Sequence, residues 1–274
     1  MRREQSQQTT ARSGASPGPP GRAGTLSIVG VPIGHPDDLT VRALRTLAEA
    51  DVIASEDPAA TQGLLAHHGL TANITSYGPS NIKEKVAVLI HRLREGAHVA
   101  LVSDMGSPVI ADPGSLLVES AHAHGIHVVS VPGPSALTAA VAAAGLSSSS
   151  FFFEGRLSET KSGVRRQLQT RLQDKTPTVA FCSARSLVFA VRTLAAIAPR
   201  EHITLVCELT KPDERIIQGT AMHVLQKLDE AVMAQDTTLI LKGGRPVKRN
   251  TTEPAKRKNR QGNGQLSSRR IKTR

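Results

Sequence analysis

Apolar and polar positions along the chain fall into two alternating rhythms. Short apolar runs at "TLSIVGV" (25–31), "DVIAS" (51–55), "HVALVS" (98–103) and "HVVSV" (127–131) read as strands. Segments with helical spacing stand between them. Residues 38–50 bring Leu39, Ala43, Leu44 and Leu47 to one face. Residues 81–96 are amphipathic, with Asn81 and Glu84 spaced as a capping box and Gly96 as the stop. Residues 114–124 and the small-residue stretch "SALTAAVAAAGL" (135–146) complete the set. Strand and helix in turn predict an α/β fold with a mostly parallel sheet covered on both faces.

The rhythm changes after "SSSS" (147–150). Strands are expected at 151–155, 176–184, 203–210, 215–220 and 237–243, and helices at 163–174, 186–197 and 221–232. Strands here follow one another with fewer helices between them, so the second sheet is expected to be mixed. The organisation this implies is an end segment over 1–23, an α/β domain over 24–134, a second over 135–242 and a basic end segment over 243–274.

Charge sharpens that division. The first 23 residues carry +3 and residues 243–274 carry +10, which leaves −2 of the net +11 for residues 24–242. Both end segments are poor in apolar residues and rich in Gly, Pro, Ser, Gln and Lys/Arg, so both are expected to be disordered. The C-terminal one suits sequence-blind contact with a polyanion such as RNA. Aromatic residues make up 2% of the chain, too few for stacking platforms along single-stranded nucleic acid. No apolar stretch reaches the ~20 residues of a membrane span, and the N-terminal segment lacks a signal-peptide core. Cys182 and Cys207 each close an apolar run without metal spacing. They read as buried, reduced thiols of a cytoplasmic protein. His122 and His124, two apart on one predicted helix, diverge and read as exposed side chains, not metal ligands.

Four strand ends carry unusual chemistry: "VPIGHPDDLT" (31–40), "SDMGSPVIADPG" (103–114), "VPGPSALTAA" (131–140) and "CELTK" (207–211). In open α/β sheets ligands sit beyond the carboxyl ends of the strands, and glycine lets a ligand approach the main chain. None of these loops is a dinucleotide fingerprint or a P-loop.

In order along the chain, "SIVGVPIGHPDDLTVRALRTLAEADVIASED", "ALVSDMGSPVIADPG", "VPGPSALTAAVAAAGL", "FFFEGRL" and "CELTK" resemble the tetrapyrrole methylase family of S-adenosylmethionine-dependent methyltransferases. Within that family they are most similar to the 16S ribosomal RNA cytidine 2′-O-methyltransferase branch. The resemblance implies two α/β domains with the methyl donor, S-adenosylmethionine, bound in the cleft between them. It also implies a homodimer, and ribosomal RNA or the small ribosomal subunit as partner. Three basic groups of the branch pattern are replaced, at Pro58-Ala59-Ala60-Thr61, at Cys182-Ser183-Ala184-Arg185-Ser186 and at Cys207.

A sulfonium donor is already activated, so the site has to desolvate and align the reactants, and no metal is required. The donor-binding candidates are Pro32, Gly34, Asp104, Gly106, Ser107, Pro108, Pro132, Gly133, Ser135 and Ala136. Asp104 would take the donor ammonium, while Gly106, Ser107 and Pro108 form the adjoining wall. The helix starting at Ser135 and Ala136 would offer N–H groups to the donor carboxylate. Asp112 is expected as a helix N-cap before Pro113 at N1. Glu56, Asp57, Glu208 and Lys211 are candidates for removing a proton from a ribose hydroxyl, with Glu208 and Lys211 also placed to pair with each other. Two other functions fit the same residues: methylation of a tetrapyrrole or other small molecule, and ribosome binding without turnover.

Overall fold

The computed structural model describes residues 24–112, 114–233 and 237–243. The expectations for the two charged end segments and for Pro113 lie outside the described residues. The described residues form two five-stranded sheets.

The first sheet contains β1 (Thr25–Val29), β2 (Val52–Ser55), β3 (Ile74–Ser76), β4 (His98–Val102) and β5 (His127–Val131). Their order is β3-β2-β4-β1-β5, and every pair is parallel. Thr25 lies level with both His98 and His127, so β1, β4 and β5 end together and their following loops emerge side by side. β2 and β4 are buried along almost their whole length, as a central parallel strand must be when both faces are covered. α1 (Val41–Glu49), α2 (Pro58–His67), α3 (Ile82–Arg94) and α4 (Ser115–Ala123) connect these strands. Leu89, Leu93, Leu117 and Ala121 pack one face together with Leu26, Val99 and Leu101. Ala43, Leu47 and Leu65 pack the other with Val29, Ile53 and Ala100.

The second sheet contains β6 (Phe152–Arg156), β7 (Thr178–Cys182), β8 (His202–Cys207), β9 (Arg215–Thr220) and β10 (Thr237–Leu241), in the order β6-β7-β10-β8-β9. β6 and β7 are parallel and the other pairs antiparallel, giving the mixed sheet expected. α5 (Ala136–Ala143) packs Ala140, with Ala144 beyond its end, against Val179, Val206 and Ile240. α6 (Lys161–Asp174) and α7 (Ala184–Ile197) cover the opposite face through Val164, Leu168, Leu187, Val191 and Leu194.

Four local expectations are corrected. α2 and β3 occupy residues that carry no clear hydrophobic period: α2 is short and apolar on several sides, and β3 has only three residues. The Asn81 side chain makes no helix-capping bond; it instead accepts the Gly78 amide at 3.0 Å and donates to the Ser76 hydroxyl at 3.2 Å, closing the preceding turn. Asp112 is not a helix cap, because α4 begins at Ser115 with Gly114 as N-cap. The helix expected over 221–232 is broken into α8 (Ala221–Gln226) and α9 (Glu230–Met233); Asp229 starts the second by accepting the Val232 amide at 2.8 Å. Cys182 and Cys207 are buried and form no disulfide. His122 and His124 are exposed. Among the described residues no helix is long and apolar enough to cross a membrane, and no cluster of three His, Cys, Asp or Glu could hold a metal ion.

Candidate functional site

The loops after β1, β4 and β5 are knitted together. The Val31 amide donates to the Gly106 carbonyl at 2.9 Å, and the Gly106 amide donates to the Pro32 carbonyl at 3.3 Å. The result is a single antiparallel bridge beyond the end of a parallel sheet. It requires φ = 77° at Gly106, in the left-handed region that glycine reaches without strain. The sequence suggested that Gly106 leaves its main chain open to a ligand; its N–H and C=O are both committed to this bridge. Gly133 has a comparable role, since a Cβ there would lie 2.5 Å from the Gly30 carbonyl oxygen.

A cavity of about 130 Å³ lies on one side of the bridge, between the two sheets. The loops after β1 and β4 contribute Ile33, Met105, Gly106, Ser107, Ile110 and Asp112, and the start of α5 contributes Ser135 and Ala136. The second half contributes Arg156, Phe181, Cys182, Val206, Glu208, Leu209, Lys211, Thr237 and Thr238. The start of α5 opens onto this cavity. Its N-cap Ser135 makes no side-chain capping bond, whereas Thr40, Asp57, Thr160, Ser183 and Thr220 cap α1, α2, α6, α7 and α8. The first amides of α5 are thus turned toward the cavity without a side-chain acceptor, an arrangement suited to an anion. Carboxylates face the same space. Glu208 is paired with Lys211, and Asp112 lies 3.6 Å from the Arg156 guanidinium, which links the two halves across the opening.

A second cavity, about 440 Å³, lies on the other side of the bridge. It is lined by Val31, Pro32, Gly34 and Pro36, by Ser103, Asp104 and Met105, by one face of α2, and by Lys211. Met105 and Lys211 therefore belong to both cavities. Gly34 stands where the halves meet. A Cβ there would lie 2.6 Å from the Thr210 hydroxyl and 2.7 Å from the Leu209 carbonyl oxygen, and the neighbouring His35 amide donates to that Thr210 hydroxyl at 3.0 Å. What comes close to this glycine is the chain's own 208–211 loop.

The candidates from the sequence are thus divided. Gly106, Ser107, Ser135, Ala136 and Glu208 meet in the first cavity, Pro32, Gly34 and Asp104 in the second, and Lys211 joins them. Pro108, Pro132, Gly133, Glu56 and Asp57 line neither. Pro108 is buried beneath the loop, and Asp57 caps α2 by accepting the amides of Ala59 at 2.9 Å and Ala60 at 3.0 Å. The site also uses residues that the sequence left unmarked. Arg156 ends β6, and Thr237 and Thr238 begin β10. Because β10 is antiparallel, Thr237 lies level with both Cys182 and Cys207, so the start of one strand joins the ends of two others. Two adjacent β-branched hydroxyls heading an apolar strand were the available signal.

Backbone strain concentrates here as well. Val109 at φ = 76°, Ala111 at 62°, Glu208 at 48° and Thr210 at 64° are four of the five described non-glycine residues with positive φ. Each costs of order 1–3 kcal/mol and persists only where surrounding structure enforces it.

Burial pushes the Glu56 carboxyl above its ordinary value, Asp104 and Asp112 push it the same way, and Arg156 opposes them. Burial likewise raises Asp112, with Arg156 opposing and Asp104 adding to the rise. The folded chain holds these protons more tightly than the unfolded chain does, so stability from both positions falls as pH rises through the carboxylate range. Glu56→Gln is accordingly expected to raise Tm at neutral pH. The gain should shrink to nothing below about pH 4, where both states are protonated. Thermal melts at the two pH values check this, and identical Tm values at neutral pH would count against a desolvated carboxylate.

The described fold and its cleft have known counterparts. Residues 25–225 match the family model for tetrapyrrole (corrin/porphyrin) methylases. A Thermotoga maritima protein named ribosomal RNA small subunit methyltransferase I is 37% identical over 220 residues, which cover 80% of this chain and 99% of that one. A Halalkalibacterium halodurans protein of the same name is 38% identical over 80% of this chain and 76% of its own. Among solved structures, cobalt precorrin-4 methyltransferase superposes with a TM-score of 0.60 at 22% identity, covering 79% of this chain and 94% of that one. Diphthine synthase superposes with a TM-score of 0.62 at 19% identity, covering 79% and 89%. These two likenesses speak for the fold. With the family match and the two relatives, they place this chain in the tetrapyrrole (corrin/porphyrin) methylase family, beside the proteins named ribosomal RNA small subunit methyltransferase I.

Proposed function

We propose that the protein is an S-adenosylmethionine-dependent methyltransferase that 2′-O-methylates a cytidine of small-subunit ribosomal RNA. The observation that carries the donor assignment is the mixed chemistry of the first cavity. It sets the uncapped start of α5 and the Asp112 and Glu208 carboxylates around an apolar floor of Ile33, Ile110 and Val206. Those groups fit a zwitterion that also carries a sulfonium and a heteroaromatic ring. The α5 amides suit the donor carboxylate, and the acidic side chains suit its ammonium and sulfonium. The bound donor supplies an electrophilic methyl group.

The chain's residues orient and desolvate the reactants. Ile33, Ile110, Leu209 and Val206 exclude water from the donor, while the Lys211–Glu208 pair stands where both cavities meet. In the transfer, the ribose oxygen forms the new bond to the methyl carbon and the carbon–sulfur bond breaks with its electron pair left on sulfur. The hydroxyl proton passes to Glu208. Of the four acid–base candidates Glu208 is favoured, because Asp57 is occupied as a helix cap and Glu56 lines neither cavity. The RNA assignment draws on the names of the relatives and on the +10 charge of residues 243–274. A homodimer in the cytoplasm completes the reading.

The test is methyl transfer from labelled donor to small ribosomal subunits from cells lacking the gene, followed by digestion to nucleosides. Label in 2′-O-methylcytidine is expected. Label in a base-methylated nucleoside, or none in RNA, would overturn the assignment.

A further inference from the structure

Methyl transfer needs two ligands whose reacting atoms meet, and this chain has two cavities separated by one bridge. Building on the reading above, we propose that the second cavity receives the acceptor nucleoside, flipped out of the RNA. We further propose that Asp104 selects a base carrying an exocyclic amine.

Three observations carry this. Adjacency is the first: the cavity, about 440 Å³, shares Met105 and Lys211 with the donor side. A nucleoside seated there has its ribose at the shared wall. Shape is the second. Ala60, Gly63, Leu64 and His67 recur at helical spacing, so one face of α2 forms the wall opposite Pro32 and Pro36. At Gly63 an added Cβ would meet nothing within 4 Å, although the residue sits inside a helix where glycine is unfavourable. The missing side chain leaves room in the cavity and relieves no crowding.

Charge is the third. Asp104 and Lys211 are charged residues of opposite sign in the lining of this cavity. With one carboxylate against one ammonium, the lining carries no surplus of positive charge to draw a phosphate in, which suits a neutral nucleoside. Asp104 is exposed and makes no hydrogen bond among the described residues, so its carboxylate is available as an acceptor. Cytosine and adenine each offer an exocyclic amine to it, whereas uracil offers a carbonyl oxygen at the corresponding place. The reacting hydroxyl is on the ribose, so what extrusion supplies here is access of the base edge to Asp104.

The experiment uses the full chain and the subunits described above. Gly63→Trp fills the cavity from a helical position and improves helix propensity. It should leave Tm and donor affinity unchanged and lower kcat/KM for the subunits by roughly tenfold or more. Asp104→Leu, which keeps roughly the volume but offers the base amine no acceptor, should do the same. Undiminished kcat/KM in Gly63→Trp, or a loss of donor affinity in its place, overturns the proposal. A second measurement does not depend on turnover: ultraviolet cross-linking of the subunit RNA, with the adduct mapped by mass spectrometry. Adducts within residues 31–36 or 60–67 are expected, and adducts confined elsewhere overturn the proposal. If wild type cross-links within the cavity but transfers no methyl group, the function assigned above fails while the cavity assignment stands.

Discussion

Gly34→Ala is expected to reduce methyl transfer by roughly 100-fold, the scale of loss that accompanies a displacement of about 1 Å among aligned reactants. The added carbon would fall 2.6–2.7 Å from the Thr210 hydroxyl, the Leu209 carbonyl oxygen and Lys211 Cγ. One of these is backbone, and the loop carrying all three already holds Glu208 at φ = 48° and Thr210 at φ = 64°. A loop so constrained does not give way by a small adjustment. The two halves must part, the His35–Thr210 hydrogen bond lengthens, and Lys211 moves away from the wall it shares with both cavities. Turnover measured alongside a thermal melt checks this. The signature is a loss of kcat far larger than the loss of stability. Wild-type turnover in Gly34→Ala would mean that the close approach of the loops has no part in the chemistry.

Gly106→Val should affect the donor itself. At φ = 77° a β-branched residue is strained, and its Cβ would press within 3.3 Å of Ile33 Cγ2. The backbone can relieve the strain only by leaving the left-handed region, which breaks both hydrogen bonds of the bridge to Val31 and Pro32. Ile33, Gly106 and Ser107 then lose their common position at the first cavity, proposed above for the donor. A roughly 100-fold rise in the donor dissociation constant is expected, about 2.7 kcal/mol. Titration calorimetry with S-adenosylmethionine measures it. Gly106→Ala, which adds the same Cβ without branching, should fall between the two. Equal donor affinity in all three proteins would remove the bridge from donor binding.

Hydrophobic rhythm was enough to place the strands of both sheets apart from β3, because each is a run of apolar residues flanked by turn chemistry. The mixed second sheet was legible for the same reason. The loops of the site could also be found, since glycine and proline cluster at successive strand ends. What those residues do there was not legible. Gly34, Gly106 and Gly133 looked like openings for a ligand, yet each is small because another stretch of the same chain approaches it. Asp57 and Asp112 exchanged roles: the candidate acid–base group caps α2, and the expected cap pairs with Arg156 at the first cavity. Strand direction decided a further part. Thr237 and Thr238 reach the site only because β10 runs opposite to its neighbours, and a periodicity of two carries no direction.

The Val31–Gly106 bridge has a bearing on the order of events. Each cavity has lining residues of its own beside the shared Met105 and Lys211, so in the arrangement proposed above either ligand can bind or leave without displacing the other. Spent donor can then leave and fresh donor arrive while a bulky acceptor stays seated. Under the function proposed, a fruitless encounter between a ribosomal subunit and an uncharged catalyst becomes recoverable in place. Cellular donor supply would then set how long each visit lasts, and would not decide whether the visit succeeds.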